Sequence, residues 1–275
     1  MSRALTGITR LLQPWGPRLL DLVFPRTCSA CGIPVGHAGA EWCARCAVEL
    51  SALLERDYCQ RCGETAGAYL LTEGVCTDCT QRRSSLRFTR FARVGRYRGA
   101  LRGLVLRFKR QFALDQLLGG LLADAVRGVM DPQQIDVWVP VPSHWRRRLE
   151  LGCWPTRLLA EAMARRLGGA VWPALRATRY IRPFHARRLS STERLKEIRG
   201  AFAVRRELEL SGLNIGLVDD VMTTGATLGE ARRTLRAAGV KDVYAAVLAR
   251  AGGLPDGFSS VDATVQSPYT PAAGA

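Results

Sequence analysis

The chain has 275 residues, 47% of them hydrophobic, which is the composition of a folded globular protein and excludes a chain that is disordered throughout. Lys and Arg number 40 against 24 Asp and Glu, and the resulting formal charge of +16 favours partners that carry phosphate. The chain lacks the roughly 18 consecutive apolar residues of a membrane span, and polar residues and a proline interrupt every apolar run near the N-terminus, which predicts a soluble, cytoplasmic protein.

We predict four segments in chain order. Residues 1–27 form an N-terminal helical segment, 28–83 a small cysteine-rich zinc module, 84–252 an α/β domain, and 253–275 a loosely ordered tail rich in Gly, Pro, Ser and Ala. The boundary near Arg83 is where the cysteine pairs end and alternating strand and helix patterns begin.

Eight of the nine cysteines form four Cys-x2-Cys pairs, separated by 11, 12 and 13 residues. Two such turns point four thiolates at one place, which predicts closed structural Zn2+ sites, one or two in number. Sequential pairing gives two sites and crossed pairing stays open, as do a redox-active pair and an iron–sulfur cluster. Gly32 and Gly63 are typical of the knuckle turns that follow such pairs. The predicted metal ligands are Cys28, Cys31, Cys43, Cys46, Cys59, Cys62, Cys76 and Cys79.

The second part of the chain alternates strand and helix patterns. Strands are predicted at 88–97, 135–141, 213–218 and 242–248, and helices at 100–108, 114–129, 154–167 and 227–238. Residues 179–199 are polar, basic and unpatterned, which predicts a long loop. Strands that alternate with helices predict an α/β fold with a mostly parallel sheet.

The most informative segment runs from Leu217 to Leu228. An apolar strand ends in two acids, and a hydroxyl-rich turn then opens a helix, whose free amides and Thr side chains suit an anion such as a 5'-phosphate. The adjacent acids can accept hydrogen bonds from the two vicinal hydroxyls of a ribose. The alternative is an ordinary turn with a Thr N-cap. The predicted binding residues are Asp219, Asp220, Val221, Met222, Thr223, Thr224, Gly225, Ala226 and Thr227.

This segment resembles the phosphoribosyl-pyrophosphate signature of type I phosphoribosyltransferases, in which apolar residues and two acids precede Thr-Thr-Gly-x-Thr. With the four cysteine pairs, Val139-Pro140-Val141-Pro142 and Arg199-Gly200-Ala201-Phe202, the chain resembles the bacterial ComF family over nearly its full length. The resemblance implies a double zinc ribbon before a type I phosphoribosyltransferase-like domain. It also implies Mg2+ bound with phosphoribosyl pyrophosphate, and a link to DNA uptake in natural competence. Asp219 and Asp220 are then the candidate catalytic acids.

In the family, the segment after Val-Pro-x-Pro lies near the pyrophosphate. That role here falls to Ser143, His144, Arg146, Arg147 and Arg148, with plain surface charge as the alternative for Arg147. Members usually show Arg-Gly-Phe-Asn-Gln where this chain has Leu-Gly-Cys-Trp-Pro at 151–155. In the loop at 179–199, members usually show Thr, Gln and Asn at points where this chain has Arg182, Pro183, Ala186 and Glu197. Two alternatives therefore stay open: a transferase of unknown acceptor, and a protein that binds the ligand without turnover.

The family resemblance also implies single-stranded DNA and a competence helicase as partners. Phe88, Phe91, Tyr97 and Phe108 interleave with Arg and Lys, a pattern typical of single-strand grooves, although such rings also occur in cores. Cys153 stands alone and is predicted to be a packed residue rather than a nucleophile.

Overall fold

A computed structural model describes residues 27–35, 42–53, 58–84, 86–109, 114–180 and 191–251. The predictions for residues 1–27 and 253–275 fall outside these ranges, apart from Thr27. In the described ranges, no helix combines the length and the apolar character needed to cross a membrane.

The elements follow one another in chain order from the cysteine module to the α/β part. The helices are α1 (Ala44–Leu53), α2 (Thr77–Thr80), α3 (Gly99–Phe108), α4 (Asp115–Arg127), α5 (Trp145–Leu151), α6 (Pro155–Leu167), α7 (Ser191–Ile198) and α8 (Ala226–Ala237). The strands are β1 (Leu71–Thr72), β2 (Val75–Cys76), β3 (Phe91–Arg96), β4 (Val137–Pro140), β5 (Ala170–Val171), β6 (Leu175–Ala177), β7 (Phe202–Val204), β8 (Asn214–Met222) and β9 (Asp242–Arg250).

A five-stranded sheet in the order β3-β9-β8-β4-β5 forms the centre of the fold, and all of its pairings are parallel. This confirms the predicted α/β fold class. Successive residues of β8 alternate between the two faces, so that Val218 packs with α3, α4 and α6 while Leu217 packs with α8. Gly216 makes room for the ring of Trp138, since a Cβ there would lie 2.3 Å from it. The central strand β8 therefore reaches its carboxyl end between two packed layers.

Two predictions about the elements were wrong in detail, and one further helix was not predicted. The loop predicted at 179–199 contains helix α7, whose pattern is hard to detect because Ile198 alone is buried among its residues with described side chains. The basic run after Ser143 forms helix α5, which ends at Gly152 in the left-handed conformation. Strand β8 continues to Met222, because β9 pairs with it as far as Arg250. The two acids therefore lie inside the strand.

The cysteine module shares a core with the α/β domain. Cys28, Ala30, Cys46 and Leu50 are buried in the same apolar cluster as helix α3. The packing is close, since a Cβ at Gly103 of α3 would lie 2.5 Å from the Ala30 carbonyl oxygen.

Polar contacts join the same two parts. Arg107 of α3 donates to the carbonyl of Cys28 at 2.9 Å, and the amide of Ala100 donates to Glu49 at 3.1 Å. The first two cysteine pairs are therefore held against α3 by apolar burial as well as by hydrogen bonds.

Candidate functional site

The eight paired cysteines form two groups of four in the order of the sequence. Cys28, Cys31, Cys43 and Cys46 make the first tetrad, and Cys59, Cys62, Cys76 and Cys79 make the second. Within each tetrad the four sulfurs lie within 4.8 Å of one another. The sequential pairing is therefore the one observed.

Both tetrads have the dimensions of a tetrahedral zinc site. Zn–S bonds of about 2.3 Å place two ligating sulfurs about 3.8 Å apart. The Sγ atoms of Cys31 and Cys43 are 3.8 Å apart, as are those of Cys62 and Cys76. With four sulfurs each, the tetrads leave no position open for a substrate. They are consistent with two structural zinc ions.

Matching knuckle turns precede the second half of each tetrad. The Gly32 amide donates to the Cys28 carbonyl at 2.9 Å, and the Gly63 amide donates to the Cys59 carbonyl at 2.8 Å. Both glycines have a positive backbone φ, +82° and +73°, which residues other than glycine rarely adopt. In the second tetrad, hydrogen bonds from the Cys62 thiol and the Cys76 amide lower the pKa of Cys59 to about 4 against the effect of burial. This favours the thiolate that zinc binds.

The second tetrad is tied to strand β3 by a buried arginine. Arg93 is only 2% exposed and donates to the Gly63 carbonyl at 3.1 Å and to the Thr65 hydroxyl at 3.0 Å. Its guanidinium lies 4.5 Å from the centre of the Tyr58 ring. Phe91 of the same strand covers Gly63, where a Cβ would lie 2.3 Å from the ring. The knuckle thus completes the packing of the sheet edge.

Strand β9 contacts the same knuckle. Arg250, at its end, donates to the Cys62 carbonyl at 3.3 Å and pairs with Glu64. Since Arg250 is the register partner of Met222 on β8, the second tetrad lies one strand away from the predicted phosphate site.

The carboxyl end of β8 opens into a cavity of about 450 Å3. Nearly the whole predicted binding segment lies on its wall. The lining residues from that segment are Asp219, Asp220, Val221, Met222, Thr223, Gly225, Ala226 and Thr227. Thr224 is not among them, and its hydroxyl instead accepts a long hydrogen bond of 3.4 Å from the Ala226 amide at the start of α8.

The two acids are held by the backbone and by a lysine. Asp219 is buried, and its Oδ1 accepts from the Asp220 amide at 2.8 Å. Asp220 accepts from the Val221 amide at 2.6 Å through Oδ1, and its Oδ2 lies 2.7 Å from the Lys109 Nζ. Burial and then the charge of Asp220 raise the pKa of Asp219 to about 8. One acid of the pair is therefore largely protonated at neutral pH.

This shift makes the stability of the protein depend on pH. Because the pKa of Asp219 rises from 3.8 to about 8 on folding, the native state binds the extra proton between these values, and stability is lost as the pH rises. Between about pH 6 and about pH 8, we expect the wild type to lose about 1 kcal/mol per pH unit relative to Asp219→Asn. Urea unfolding of both proteins across this range measures the difference. Parallel pH profiles would show that Asp219 is ionised in the native state.

The turn before α8 is shaped by Gly225. It has φ +78°, and a Cβ there would lie 2.2 Å from the Leu86 side chain. Leu86 belongs to the segment between the second tetrad and β3, so this segment supports the turn directly. The first amides of α8 have no partner further back in the helix, and the positive end of the helix dipole faces the cavity. These features suit a bound phosphate.

The residues predicted on the pyrophosphate side separate in the structure. Ser143 lines the cavity. His144 caps α5 by accepting from the Arg146 amide at 3.3 Å, and its ring lies 5.2 Å from that of Tyr180. Burial, followed by the charges of Arg146 and Arg148, lowers the pKa of His144.

Arg146 and Arg148 are not on the described cavity wall. The Arg146 guanidinium lies 5.4 Å from the Trp145 ring, and that of Arg148 lies 5.2 Å from the Trp154 ring. The Arg147 side chain lies outside what the structure describes. Of the predicted group, Ser143 is the member that the described structure places at the cavity.

Sequence reasoning missed Lys109, Tyr97 and Arg194 as members of this site. Lys109 follows α3, Tyr97 follows β3, and Arg194 lies on α7. They come together only because the sheet order brings distant segments to the end of β8, and sequence spacing contains no signal for that. Residues 151–155, which differ from the sequence usual in the family, also reach the cavity, where Leu151 and Pro155 present apolar side chains.

The predicted stacking rings are mostly core residues. Phe88, Phe91 and Phe108 are at most 3% exposed, which confirms for these rings the alternative that they are core residues rather than a stacking surface. Burial of these rings in the two apolar clusters is the physical reason. Tyr97 lies on the cavity wall instead.

Two family profiles match the two parts of this architecture. The profile of the double zinc ribbon domain matches residues 19–80, and that of the phosphoribosyl transferase domain matches residues 157–262. Purine phosphoribosyltransferase from Pyrococcus horikoshii is 19% identical with a TM-score of 0.30, covering 49% of this chain and 73% of its own. TT1426 from Thermus thermophilus is 18% identical with a TM-score of 0.30, covering 53% and 86%.

Curated relatives match over most of their length. Competence protein F of Haemophilus influenzae is 30% identical over 217 residues, which are 76% of this chain and 90% of that protein. DNA utilization protein YhgH of Salmonella typhi is 32% identical over 240 residues, 83% of this chain and 99% of the relative. With a double zinc ribbon, a phosphoribosyl transferase domain and relatives of this coverage, the chain belongs to the ComF family.

Proposed function

We propose that this protein binds phosphoribosyl pyrophosphate with Mg2+ in the cavity at the end of β8, and that it acts in DNA uptake or utilisation. The observation that carries the proposal is that the acid pair and the open end of α8 line one cavity of about 450 Å3. The match to the phosphoribosyl transferase domain and the names of the curated relatives support it.

Each part of the ligand has a partner on the cavity wall. Asp219 and Asp220 accept the two ribose hydroxyls, while Thr223, Thr227 and the first amides of α8 receive the 5'-phosphate. The pyrophosphate extends toward Ser143. The two acids thus hold the sugar by its hydroxyls with its anomeric carbon toward the open cavity.

The acid pair also fits the metal that this ligand carries. Mg2+ prefers phosphate oxygens, carboxylates and water, and Asp220 offers a carboxylate on the cavity wall. Among the described residues, the two cysteine tetrads are the groups that could hold a metal by protein ligands alone, so Mg2+ would enter with the ligand. When bound, Mg2+ supplies positive charge that offsets the charge of the leaving pyrophosphate.

Transfer requires one substitution at the anomeric carbon. A nucleophile forms a bond to this carbon as the bond to the pyrophosphate oxygen breaks, and pyrophosphate leaves with the electron pair. The ionised acid near the ribose stabilises the positive charge that develops on the sugar. The acceptor has no evident base among the residues of the cavity wall, so its identity must come from experiment.

A second candidate is binding without turnover. The polar Asn-Gln pair that the family usually has is replaced here by Trp154 and Pro155, and its usual Arg by Leu151. Leu151 and Pro155 line the cavity, and Trp154 is buried with its Nε1 donating to the Val141 carbonyl at 3.1 Å. These residues cannot orient an acceptor by hydrogen bonds. On this alternative the protein senses the ligand as an accessory of DNA uptake.

Single-stranded DNA and a competence helicase are the proposed partners, and the cytoplasm is the proposed location. The net charge of +16 supports a polyanionic partner, as do the names of the curated relatives.

We also propose the division of the chain given above, with residues 28–83 as the zinc module and 84–252 as the ligand-binding domain.

Calorimetric titration of the zinc-loaded protein with phosphoribosyl pyrophosphate and Mg2+ tests the proposal. We expect saturable binding of one ligand per chain. A pyrophosphate-release assay on the same sample, with nucleobases, amines and single-stranded DNA as acceptors, then separates the two candidates. Release identifies a transferase, tight binding without release identifies a sensor, and the absence of binding contradicts both.

A further inference from the structure

The contact between Lys109 and Asp220 joins two parts of the cavity wall. The Lys109 Nζ lies 2.7 Å from Asp220 Oδ2, and the two side chains are 34% and 16% exposed. Lys109 follows the last residue of α3, and its own amide still bonds to the Val105 carbonyl at 3.2 Å. The backbone of the lysine is therefore fixed, while its long side chain can move.

The lysine holds the carboxylate oxygen that the backbone leaves available. Asp220 Oδ1 already accepts from the Val221 amide at 2.6 Å, and Asp219 Oδ1 accepts from the Asp220 amide at 2.8 Å. A ribose hydroxyl that donates to Asp220 Oδ2 must either share this oxygen with the Lys109 ammonium or displace the ammonium.

A positive charge lies against the acid pair before any ligand arrives. The Lys109 ammonium is 2.7 Å from Asp220 Oδ2, the carboxylate oxygen that a cation could otherwise use. At this distance the ammonium repels a free divalent cation that approaches the same carboxylate.

We propose that Lys109 is a positioning residue that occupies the acid pair in the ligand-free protein, keeps free divalent cations away from it, and releases Asp220 to the ribose as it turns toward the ligand's phosphates. The inference rests on the proposed function and deepens it. It predicts that the metal enters only with the sugar pyrophosphate, whose hydroxyls replace the ammonium on Asp220 and whose charge attracts the ammonium away.

Lys109→Met tests this inference, with Lys109→Arg as the matched variant that keeps the charge. We measure Mn2+ binding to the full-length, zinc-loaded chain by electron paramagnetic resonance, without any sugar phosphate. Lys109→Met is expected to bind Mn2+ at least about tenfold more tightly than the wild type, because a neighbouring positive charge is removed. Lys109→Arg is expected to stay like the wild type.

The site of the gained cation is checked by combining Lys109→Met with Asp219→Asn and Asp220→Asn, which should abolish the gain. In the same variants, affinity for phosphoribosyl pyrophosphate with Mg2+ should fall at least about tenfold in Lys109→Met and recover in Lys109→Arg. Equal Mn2+ binding by the wild type and Lys109→Met would overturn the inference. A wild type that binds no sugar pyrophosphate would overturn the proposed function instead, and the Mn2+ result does not depend on that outcome.

Discussion

Replacing Cys62 by serine is expected to remove one of the two zinc ions and to lower the free energy of unfolding by at least about 3 kcal/mol, since structural zinc sites contribute about 10 kcal/mol or more. Cys62 is buried, and its sulfur lies within 4.8 Å of the other three in its tetrad. Loss of this ligand also loosens the knuckle that Arg93 and Arg250 bind from the sheet. The damage should therefore spread from the metal to β3 and β9.

Zinc content by mass spectrometry and chemical unfolding test this expectation. Cys153→Ser is the matched control, because Cys153 lies outside both tetrads, and it should retain both ions. Cys31→Ser, in the exposed part of the first tetrad, should also lose one ion but destabilise the sheet less. If Cys62→Ser keeps two zinc ions per chain, the second tetrad is not a zinc site.

The parts of the site that the sequence predicted are those encoded by short spacing. The Cys-x2-Cys pairs and the segment from Asp219 to Thr227 each place their groups by local geometry, a knuckle turn or a strand followed by a helix. Such local geometry is the same in any fold that contains it. The parallel sheet could also be predicted from the sequence, because long apolar strands alternate with amphipathic helices.

The parts that could not be predicted depend on contacts between distant segments. Lys109 reaches Asp220 across more than a hundred residues, and Arg93 reaches Thr65 from a different module. In sequence both look like ordinary members of a basic surface. Phe91 and Phe108 show that rings among arginines do not by themselves distinguish a nucleic-acid surface from a core, since both rings are buried. Which side chains end up buried depends on which strands lie next to each other in the sheet, and the order of the strands along the chain does not reveal this.

Replacing Asp219 and Asp220 together by asparagine is expected to weaken binding of phosphoribosyl pyrophosphate with Mg2+ at least about 30-fold. The ribose loses a charge-assisted hydrogen bond to the ionised Asp220, worth about 1.5–3 kcal/mol, and a neutral one to the protonated Asp219, worth about 0.5–1.5 kcal/mol. The Lys109 ammonium also loses its carboxylate partner and competes for the amide oxygens. Calorimetric titration of the double variant and the wild type measures the difference.

The same variant separates the two parts of the molecule. Neither acid contacts a cysteine tetrad, so the double variant should keep two zinc ions per chain and bind DNA as the wild type does. Asp124→Asn, an exposed acid on α4 away from the cavity, is the control and should leave ligand binding unchanged. Unchanged ligand affinity in the double variant would place the ligand outside this cavity. Loss of zinc would instead show that the acid pair supports the fold of the cysteine module through β9, because β9 pairs with β8 and contacts the second tetrad through Arg250.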